Sequence, residues 1–406
     1  MSKFLQSYLK FWATRYLKRV KPKIIVITGS VGKTSTKEAI FEVLQIRFQN
    51  RVRKSWGNLN TKNGISLAIL GFHQSPSKFY HWIPILPLAP FKIFANSKTK
   101  ILVLEIAADQ PGDIKYIASF VRPNITVLTS IGQAHLEIFG TMEKIIEEKT
   151  EALRALPSDG YAVLNIDDEN VKKLSFGGRW QVKTCSLTQV SDVTAKNITT
   201  EIENYLPLTK FQVITATGKF LAETKTLGRV SNIYPALTAC AVGEIFNLKK
   251  EEIITGIKNI TSQKHRMEVF RGHNNSTIID DTYNANPLSM KAALATLKIL
   301  PAKRKIAVLG DMLEIGKISP EVHRLIGEYA NEIADEVVTV GNLAKGYRGK
   351  HFDNNQQAIE YLLNQARVGD ILLIKASRAL ALEDIVEALR ANPNSPRLWN
   401  QSKTFH

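Results

Sequence analysis

The sequence lacks the features that mark secreted, membrane-spanning or disulfide-stabilised proteins. Its 406 residues contain only two cysteines, Cys185 and Cys240, which excludes a disulfide framework and a cysteine-based zinc site. No uninterrupted run of about 18 apolar residues occurs, so no membrane-spanning helix is predicted. The N-terminus has neither the apolar segment nor the small-residue cleavage site of a signal peptide. These absences favour a cytoplasmic protein, either free or at the inner face of the membrane.

Acidic residues are scarce relative to basic ones, and the formal net charge is +17. Such an excess of positive charge predicts a polyanionic partner, namely phosphates, an anionic bilayer or nucleic acid. Zinc-finger spacing, an aromatic RNA-binding motif and a long basic tail are all missing, so we expect no nucleic-acid partner. Phosphates and an anionic membrane surface remain.

A glycine-bounded loop follows the apolar run at residues 24–27 and ends in Lys33-Thr34 at the start of a predicted helix. We call residues 29–34 the phosphate loop. Backbone amides in such a loop and the helix N-terminus attract anions, and its spacing, G-x-x-G-K-T, is tighter than the common P-loop motif. An ordinary strand-to-helix turn is the alternative. We expect a nucleotide-phosphate site made by Gly29, Ser30, Val31, Gly32, Lys33, Thr34 and Ser35.

Strand-like and helical segments alternate along most of the chain, which is typical of a parallel α/β sheet with crossover helices. Strands are predicted at 101–106, 125–130, 161–165, 305–309, 336–340 and 371–374. Helices are predicted at 142–156, 319–333, 355–366 and 381–390. An antiparallel β insertion is predicted at 193–226. The predicted fold is therefore α/β, with an amphipathic helix (1–23), a P-loop-type parallel-sheet ATPase domain (24–262) and a smaller Rossmann-like domain (263–406).

Two segments suggest contact with a membrane or with the rest of the fold. Residues 3–20 form a predicted basic helix in which Phe4, Tyr8, Trp12 and Tyr16 recur every four residues. That aromatic face suits a bilayer interface and equally suits packing on its own domain. Residues 79–91 (FYHWIPILPLAPF) are apolar and interrupted by three prolines. They are compatible with a pocket wall, a shallow membrane-contacting loop or a packed surface loop.

Several polar residues in the first half follow predicted strand ends, where open α/β sheets bind ligands. Glu105 ends an apolar strand and, with Thr34, supplies the oxygen ligands that Mg²⁺ prefers. Asn58 and Asn60 lie in a Gly-Asn-Leu-Asn turn. Their side chains either bind substrate or only stabilise the turn. His135 follows another strand and is a candidate metal ligand or phosphate contact. A later lysine lies within the helical sequence Glu-Glu-Lys-Thr-Glu. The charged residues around it predict a solvent-exposed side chain.

The last domain carries a second set of candidates. Asp281 ends a predicted strand and suits a ribose hydroxyl, while Asn286 suits polar groups of a nucleotide. Arg266 precedes them and suits a transferring phosphoryl group. Candidate substrate-binding residues in this domain are Tyr283, Asn284, Lys375, Ser377 and Arg378.

Five segments, in order, resemble the Mur ligases of peptidoglycan synthesis: TGSVGKTSTKE, GNLN, IGQAHLEIFG, DDTYNANPLSM and VLGDMLEIG. The last two resemble members that add D-alanyl-D-alanine to a muramoyl-tripeptide. The resemblance implies a monomeric, ATP-dependent amide ligase that works through an acyl-phosphate. Its rivals are another ligase of the same superfamily and a membrane-docked, non-catalytic nucleotide-binding protein.

The resemblance also implies roles for individual residues. Lys33 matches the γ-phosphate contact, and Thr34 and Glu105 match ligands of Mg²⁺. His135 matches a ligand of a second Mg²⁺. Lys149, the helical lysine above, matches a lysine that is carbamylated in several relatives and helps to place that second ion.

In the last domain, the resemblance makes Asp281 a ribose contact and Arg266 a contact to the ATP phosphates. It covers residues 22–390 and includes no counterpart of the family's N-terminal domain, which holds the UDP-sugar end of the substrate. We therefore expect UDP recognition to come from elsewhere or not to occur.

Overall fold

The protein is seen here as a computed structural model that describes residues 3–57, 59–62, 64–74, 82, 84–94, 98–134, 136–175 and 177–391. The chain forms two compact units, and the boundary runs through a set of long antiparallel strands. The first unit comprises Met1–Asn197, Phe211–Ala222 and Ile233–Ile260. The second comprises Ile198–Lys210, Glu223–Asn232 and Thr261–His406.

The larger sheet has the strand order β2-β3-β1-β4-β5-β6-β7-β8-β9. Its strands are β1 (Lys23–Thr28), β2 (Val52–Lys54), β3 (Ile101–Glu105), β4 (Ile125–Leu128), β5 (Tyr161–Asn165), β6 (Gln181–Ser186), β7 (Val193–Glu203), β8 (Leu206–Thr215) and β9 (Gly218–Thr224). Neighbouring strands from β2 to β7 are parallel. The strands β7, β8 and β9 follow one another through two-residue turns, which only antiparallel neighbours can make.

The first unit also contains a set of helices. They are α1 (Lys3–Val20), α2 (Lys33–Phe48), α3 (Gly64–Leu70), α4 (Ile85–Lys92), α5 (Asp113–Ala118), α6 (Leu136–Phe139), α7 (Met142–Arg154), α8 (Glu169–Lys173), α9 (Tyr234–Ile245) and α10 (Lys250–Lys258). The predicted strands at 101–106, 125–130 and 161–165 and the predicted helix at 142–156 are confirmed to within two residues at their ends. The antiparallel insertion is confirmed as β7 to β9.

The N-terminal helix α1 packs against the core of the first unit. Leu9, Ala13 and Tyr16 are fully buried, and the Tyr16 hydroxyl accepts a hydrogen bond from Arg53 at 2.9 Å. Of the predicted aromatic face, Tyr8, Trp12 and Tyr16 pack within the domain, whereas Phe4 is 78% exposed. Among the described residues, no helix combines the length and apolarity needed to span a bilayer.

The proline-containing segment lies partly outside the described residues, and its described part is helical. The helix α4 begins directly after Pro84, and Pro87 falls in its first turn, where a missing N–H has no intrahelical partner to lose. Pro90 lies inside the helix, and the Leu86 carbonyl that its missing N–H cannot reach accepts the Tyr8 hydroxyl at 2.8 Å, so the helix continues through the prolines.

The second unit has a six-stranded sheet of order β10-β11-β15-β12-β13-β14. Its strands are β10 (Glu268–Arg271), β11 (Thr277–Asp280), β12 (Arg304–Gly310), β13 (Glu336–Val340), β14 (Lys350–Phe352) and β15 (Asp370–Lys375). Its helices are α11 (Pro287–Ile299), α12 (Ser319–Asn331), α13 (Asn355–Gln365) and α14 (Glu383–Leu389). All neighbouring strands are parallel except β10 and β11.

Apolar side chains of the second unit form two buried clusters, one containing Leu309 and Leu373 and the other Val308 and Leu372. Successive residues of a strand point to opposite faces of the sheet, so both faces are covered. The predicted strands and helices of this region are confirmed to within two residues, and the predicted α/β class is confirmed for both units.

Candidate active site

The phosphate loop connects the carboxyl end of β1 to the first turn of α2. Its backbone needs glycine at two positions, since Gly29 has φ 146° and Gly32 has φ 81°. A Cβ on Gly29 would lie 2.0 Å from the Thr129 Oγ1, so no side chain fits there. The Ser30 amide donates to the Ser130 carbonyl at 2.7 Å. These contacts hold the loop against the segment that follows β4.

Lys33 opens α2, and its side chain folds back over the loop. Its Nζ donates to the carbonyl of Gly29 at 2.8 Å and lies 3.4 Å from the carbonyl of Ser30. An ammonium group and a helix N-terminus thus meet at one loop, which is the arrangement that binds nucleotide phosphates.

Thr34 and Glu105 meet beside the loop because β1 and β3 are parallel neighbours, with Ile27 opposite Glu105. The Thr34 hydroxyl donates to the Glu105 Oε1 at 3.2 Å, and the Asn60 amide donates to the same oxygen at 2.9 Å. Ser55 fixes the strand end by accepting the Glu105 N–H at 3.1 Å. The structure therefore brings together three residues that the sequence singled out separately.

Lys37 is a residue of this cluster that sequence reasoning missed. It lies one helical turn after Lys33 and is almost fully buried. Its Nζ is 3.5 Å from the Glu105 Oε2, so the carboxylate is contacted on both oxygens. The signal available in the sequence was its position four residues after Lys33, which places both lysines on one helix face.

Lys149 is buried on α7, with its Nζ 3.3 Å from the carbonyl oxygen of Gly29. The interpretation of this lysine as a solvated charge, based on its sequence pattern, is therefore wrong. Burial and then the positive charge of Lys33 lower the pKa of Lys149 to about 7, against the opposing effect of Glu148. A large fraction of this amine is thus neutral near physiological pH, as a nucleophilic lysine requires.

Glu148, the preceding residue, was also missed. Its two carboxylate oxygens accept the N–H groups of Gly112 at 2.6 Å and Ile114 at 2.7 Å, at the start of α5. These charge-assisted bonds anchor α7 to α5 and so fix the position of the helix that carries Lys149.

His135 and Asn58, two predicted site residues, lie outside the described residues. Side chains at the end of β5 and in the turn after it form hydrogen bonds with the segment that precedes His135. Asn165 donates to the Thr129 carbonyl at 3.0 Å, and Asp168 accepts the Ile131 N–H at 3.0 Å. Burial raises the pKa of Asp168, although its hydrogen bonds from backbone amides oppose that rise.

In the second unit, Arg266 stacks on Tyr283. The guanidinium carbon lies 3.9 Å from the ring centroid, within the range of a cation–π contact. The Tyr283 N–H donates to the His265 carbonyl at 3.1 Å, which ties the two segments together. Arg266 is therefore held in place with its guanidinium against an exposed ring.

Asp281 and Lys375 form a buried ion pair with an N–O distance of 2.6 Å. Lys375 also donates to the Asn284 carbonyl at 2.9 Å. Burial raises the pKa of Asp281, and the positive charge of Lys375 opposes the rise. The ammonium of Lys375, a predicted substrate-binding residue, is thus paired within the protein.

Three further predicted contacts have structural partners. Asn286 caps α11 by accepting the Ser289 N–H at 2.9 Å. The Ser377 hydroxyl accepts the Leu313 N–H at 2.9 Å. Arg378 forms a salt bridge with Glu383 at 2.9 Å.

A separate buried cluster joins His265, Glu268 and Asp280, whose ligand atoms lie within 4.8 Å of one another. His265 Nδ1 is 2.8 Å from the Asp280 Oδ2, and the other Asp280 oxygen accepts both the N–H and the hydroxyl of Thr282. Glu268 accepts the His265 N–H at 2.7 Å. These internal bonds hold His265 in its left-handed conformation. Because His265 directly precedes Arg266, the cluster fixes the backbone that carries the arginine.

The chemistry of the first unit's site follows from its donors. The loop, the α2 N-terminus and Lys33 suit a polyphosphate, while the Thr34 hydroxyl and the Glu105 carboxylate suit a hard cation such as Mg²⁺. Lys149 adds a buried amine at the same loop. The residues present therefore fit a nucleotide with its magnesium ion.

Comparison with known proteins agrees with this chemistry. A family model described as the Mur ligase middle domain matches residues 27–243, and one described as the Mur ligase, glutamate ligase domain matches residues 265–378. The UDP-N-acetylmuramoyl-tripeptide–D-alanyl-D-alanine ligase of Bacillus subtilis is 30% identical over 396 residues, which are 94% of this chain and 79% of that protein.

Solved structures give the same result. MurF ligase from Thermotoga maritima in complex with ADP has a TM-score of 0.80 and 26% identity, covering 96% of this chain and 84% of that one. MurF from Acinetobacter baumannii has a TM-score of 0.80 and 25% identity, covering 94% of this chain and 79% of that one.

Proposed function

The chain belongs to the Mur ligase family, and on that premise we propose that it uses ATP to join D-alanyl-D-alanine to a muramoyl-tripeptide precursor of peptidoglycan. The observation that carries the proposal is the convergence of Lys33, the Thr34–Glu105 pair and Lys149 on one loop. The name of the Bacillus subtilis relative, which aligns with most of the chain, supports this choice of substrates.

The reaction proceeds in two steps. The tripeptide carboxylate attacks the γ-phosphorus of ATP, the bond to ADP breaks, and an acyl-phosphate forms. The neutral amine of D-alanyl-D-alanine then attacks the acyl carbon, phosphate leaves, the amine nitrogen loses one proton to solvent, and an amide bond forms. Lys33 holds the γ-phosphate and stabilises the negative charge that develops on its oxygens.

Thr34 and Glu105 would hold the magnesium ion, and His135 is proposed as a ligand of a second one. Bound Mg²⁺ supplies positive charge that neutralises the phosphate oxygens. The hydrogen bonds from Asn60 and the salt bridge from Lys37 orient the Glu105 carboxylate for that role.

Lys149 is proposed to act as a carbamate. Its neutral amine attacks the carbon of CO₂, a C–N bond forms, and one proton is released to solvent. The product is an anion that can ligate a metal ion where an ammonium could not. A pKa near 7 supports this role, because a protonated lysine has no lone pair for the reaction.

In the second unit, Arg266 is proposed to contact the ATP phosphates and Asp281 the ribose, with Asn286 as a further nucleotide contact. The ion pair with Lys375 favours the charged form of the buried Asp281 and fixes its orientation. Tyr283 and Asn284 are exposed and are proposed to contact substrate, as are Asn58, Asn60, Ser377 and Arg378.

We propose that the domains run from 24 to 262 and from 263 to 406, and that the enzyme works in the cytoplasm as a monomer. The test of function is phosphate release from ATP by the purified chain with a UDP-linked muramoyl-tripeptide. D-alanyl-D-alanine is compared with D-alanine, L-alanine and L-glutamate as the amine. We expect stimulation by D-alanyl-D-alanine well above that by the other amines. Equal stimulation by L-glutamate would instead identify a glutamate-adding member of the superfamily.

A further inference from the structure

An exposed apolar stripe runs along α4 and just beyond its ends. Phe91 is 71% exposed, Phe94 62% and Leu88 46%, and Pro84 and Pro87 are exposed on the same side at helical spacing. The opposite side of the helix carries the buried Ala89. The solvent-facing side of a helix in a globular domain usually carries polar residues. An exposed side that is apolar therefore indicates a surface that contacts a partner.

The helix α1 lies beside this stripe. The Tyr8 hydroxyl donates to the Leu86 carbonyl at 2.8 Å, which joins α1 to α4. The Arg19 guanidinium carbon lies 4.3 Å from the centroid of the Phe94 ring. A cation therefore sits directly at the edge of the apolar stripe.

The exposed side of α1 also carries an aromatic side chain next to basic ones. Phe11 is 48% exposed, and the Arg15 guanidinium carbon lies 4.9 Å from its ring centroid. Arg15 and Lys18 are exposed further along the helix. We call Leu88, Phe91, Phe94, Phe11, Arg15, Lys18 and Arg19 the aromatic–basic surface.

The net positive charge of the chain is concentrated in the first quarter of the sequence, which includes α1 and α4. Residues 1–104 contain 18 lysines and arginines against two acidic residues, Glu38 and Glu42, and so carry +16 of the formal +17. Both glutamates belong to α2, and the sequences of α1 and α4 contain no acidic residue. The remaining 302 residues are almost neutral.

We propose that the aromatic–basic surface docks the protein on an anionic phospholipid bilayer. Aromatic and leucine side chains enter the interface between headgroups and acyl chains, and arginine and lysine beside them pair with lipid phosphates. A second protein would satisfy the apolar stripe, but an anionic bilayer also accounts for the cations stacked beside it, Arg19 on Phe94 and Arg15 on Phe11, and for the lack of acidic residues in α1 and α4. The inward-packed Tyr16 and the half-buried Tyr8 and Trp12 are not part of this surface, in contrast to the face that the helical periodicity suggested.

Co-sedimentation of the full-length protein with vesicles tests the proposal. We expect binding to phosphatidylglycerol vesicles that falls steeply with added salt, and little binding to phosphatidylcholine vesicles. Leu88→Gln/Phe91→Gln and, separately, Arg15→Glu/Lys18→Glu should each reduce the partition coefficient by about tenfold or more.

Matched controls lie elsewhere in the first unit. Val190→Gln/Leu221→Gln removes exposed apolar side chains, and Lys196→Glu/Lys219→Glu makes the same charge change at exposed positions. Both controls should bind vesicles nearly as the wild type does. The proposal is overturned if the wild type stays in the supernatant at low salt or if the controls lose as much binding. It is also overturned if Leu88→Gln/Phe91→Gln abolishes self-association in ultracentrifugation and leaves vesicle binding unchanged, since the surface then joins two copies. If one of the two double variants has a lower melting temperature than its control, the vesicle binding of the other double variant tests the proposal.

Discussion

The ammonium nitrogen of Lys149, buried on α7, lies 3.3 Å from the carbonyl oxygen of Gly29 in the phosphate loop. A lysine far along the chain is thereby fixed at the same loop as Lys33, whose own ammonium donates to that carbonyl. Two cations next to each other repel, which is one reason why the pKa of Lys149 falls to about 7. The loop is therefore prepared for polyanionic ligands.

The pH dependence of stability should reveal the buried amine. The pKa of Lys149 is lowered on folding from 10.5 to about 7, so the folded state binds fewer protons than the unfolded state between these values. Its destabilising effect is complete below pH 7 and disappears as the pH rises towards 10.5. Without CO₂ or nucleotide, Lys149→Met should be more stable than wild type at pH 6, on the order of 3 kcal/mol.

That advantage should shrink as the pH rises, as measured by urea unfolding across the range. Lys115→Met, at an exposed position of α5, is the control and should show no such trend. A pH-independent difference for Lys149→Met would show that the amine does not change its protonation on folding.

Lys33→Ala should abolish ligation and leave the fold intact. The ammonium supplies charge to the transferring phosphate, and loss of one such contact raises the barrier by about 3 kcal/mol or more. Turnover is compared with that of Lys23→Ala, which removes an exposed lysine at the start of β1. Turnover of the Lys33 variant above a tenth of wild type would rule out the assigned role.

Gly29→Ala should lose ATP binding because its Cβ would collide with Thr129. Gly218 has a similar φ of 134°, but no atom lies close to where its Cβ would be. Gly218→Ala therefore carries the conformational strain without the collision and should bind ATP as wild type does. Isothermal titration calorimetry distinguishes the two variants, and equal affinities would mean that the close approach has no role.

The ion pair in the second unit should behave as a unit in unfolding experiments. Asp281→Asn leaves the Lys375 ammonium buried without its counter-ion and should lower the free energy of unfolding by about 3 kcal/mol. The double variant Asp281→Asn/Lys375→Met removes both charges and should recover part of the loss. Strictly additive losses in the double-mutant cycle would indicate that the two side chains are not coupled.

Much of the fold could be predicted because buried strands and the glycine-containing phosphate loop have recognisable local sequence patterns. The strand that ends at Glu105 and the loop before Lys33 are examples, and both meet where parallel strands end. Burial of Lys149 could not be predicted, because the sequence around it is that of a solvated helix and only the packing of α7 on the loop buries it. The sequence also could not show that the Lys375 charge is taken by Asp281, since 93 residues separate the partners.

The most direct test of the central claim is a single reaction with isotope-labelled substrate. The tripeptide carboxylate is labelled with ¹⁸O and incubated with ATP, Mg²⁺, D-alanyl-D-alanine and the protein, and both products are analysed by mass spectrometry. An amide-bond ligase that forms an acyl-phosphate will give the muramoyl-pentapeptide and transfer one ¹⁸O to the released phosphate. Phosphate without ¹⁸O, or ATP hydrolysis without pentapeptide, would contradict the proposed function.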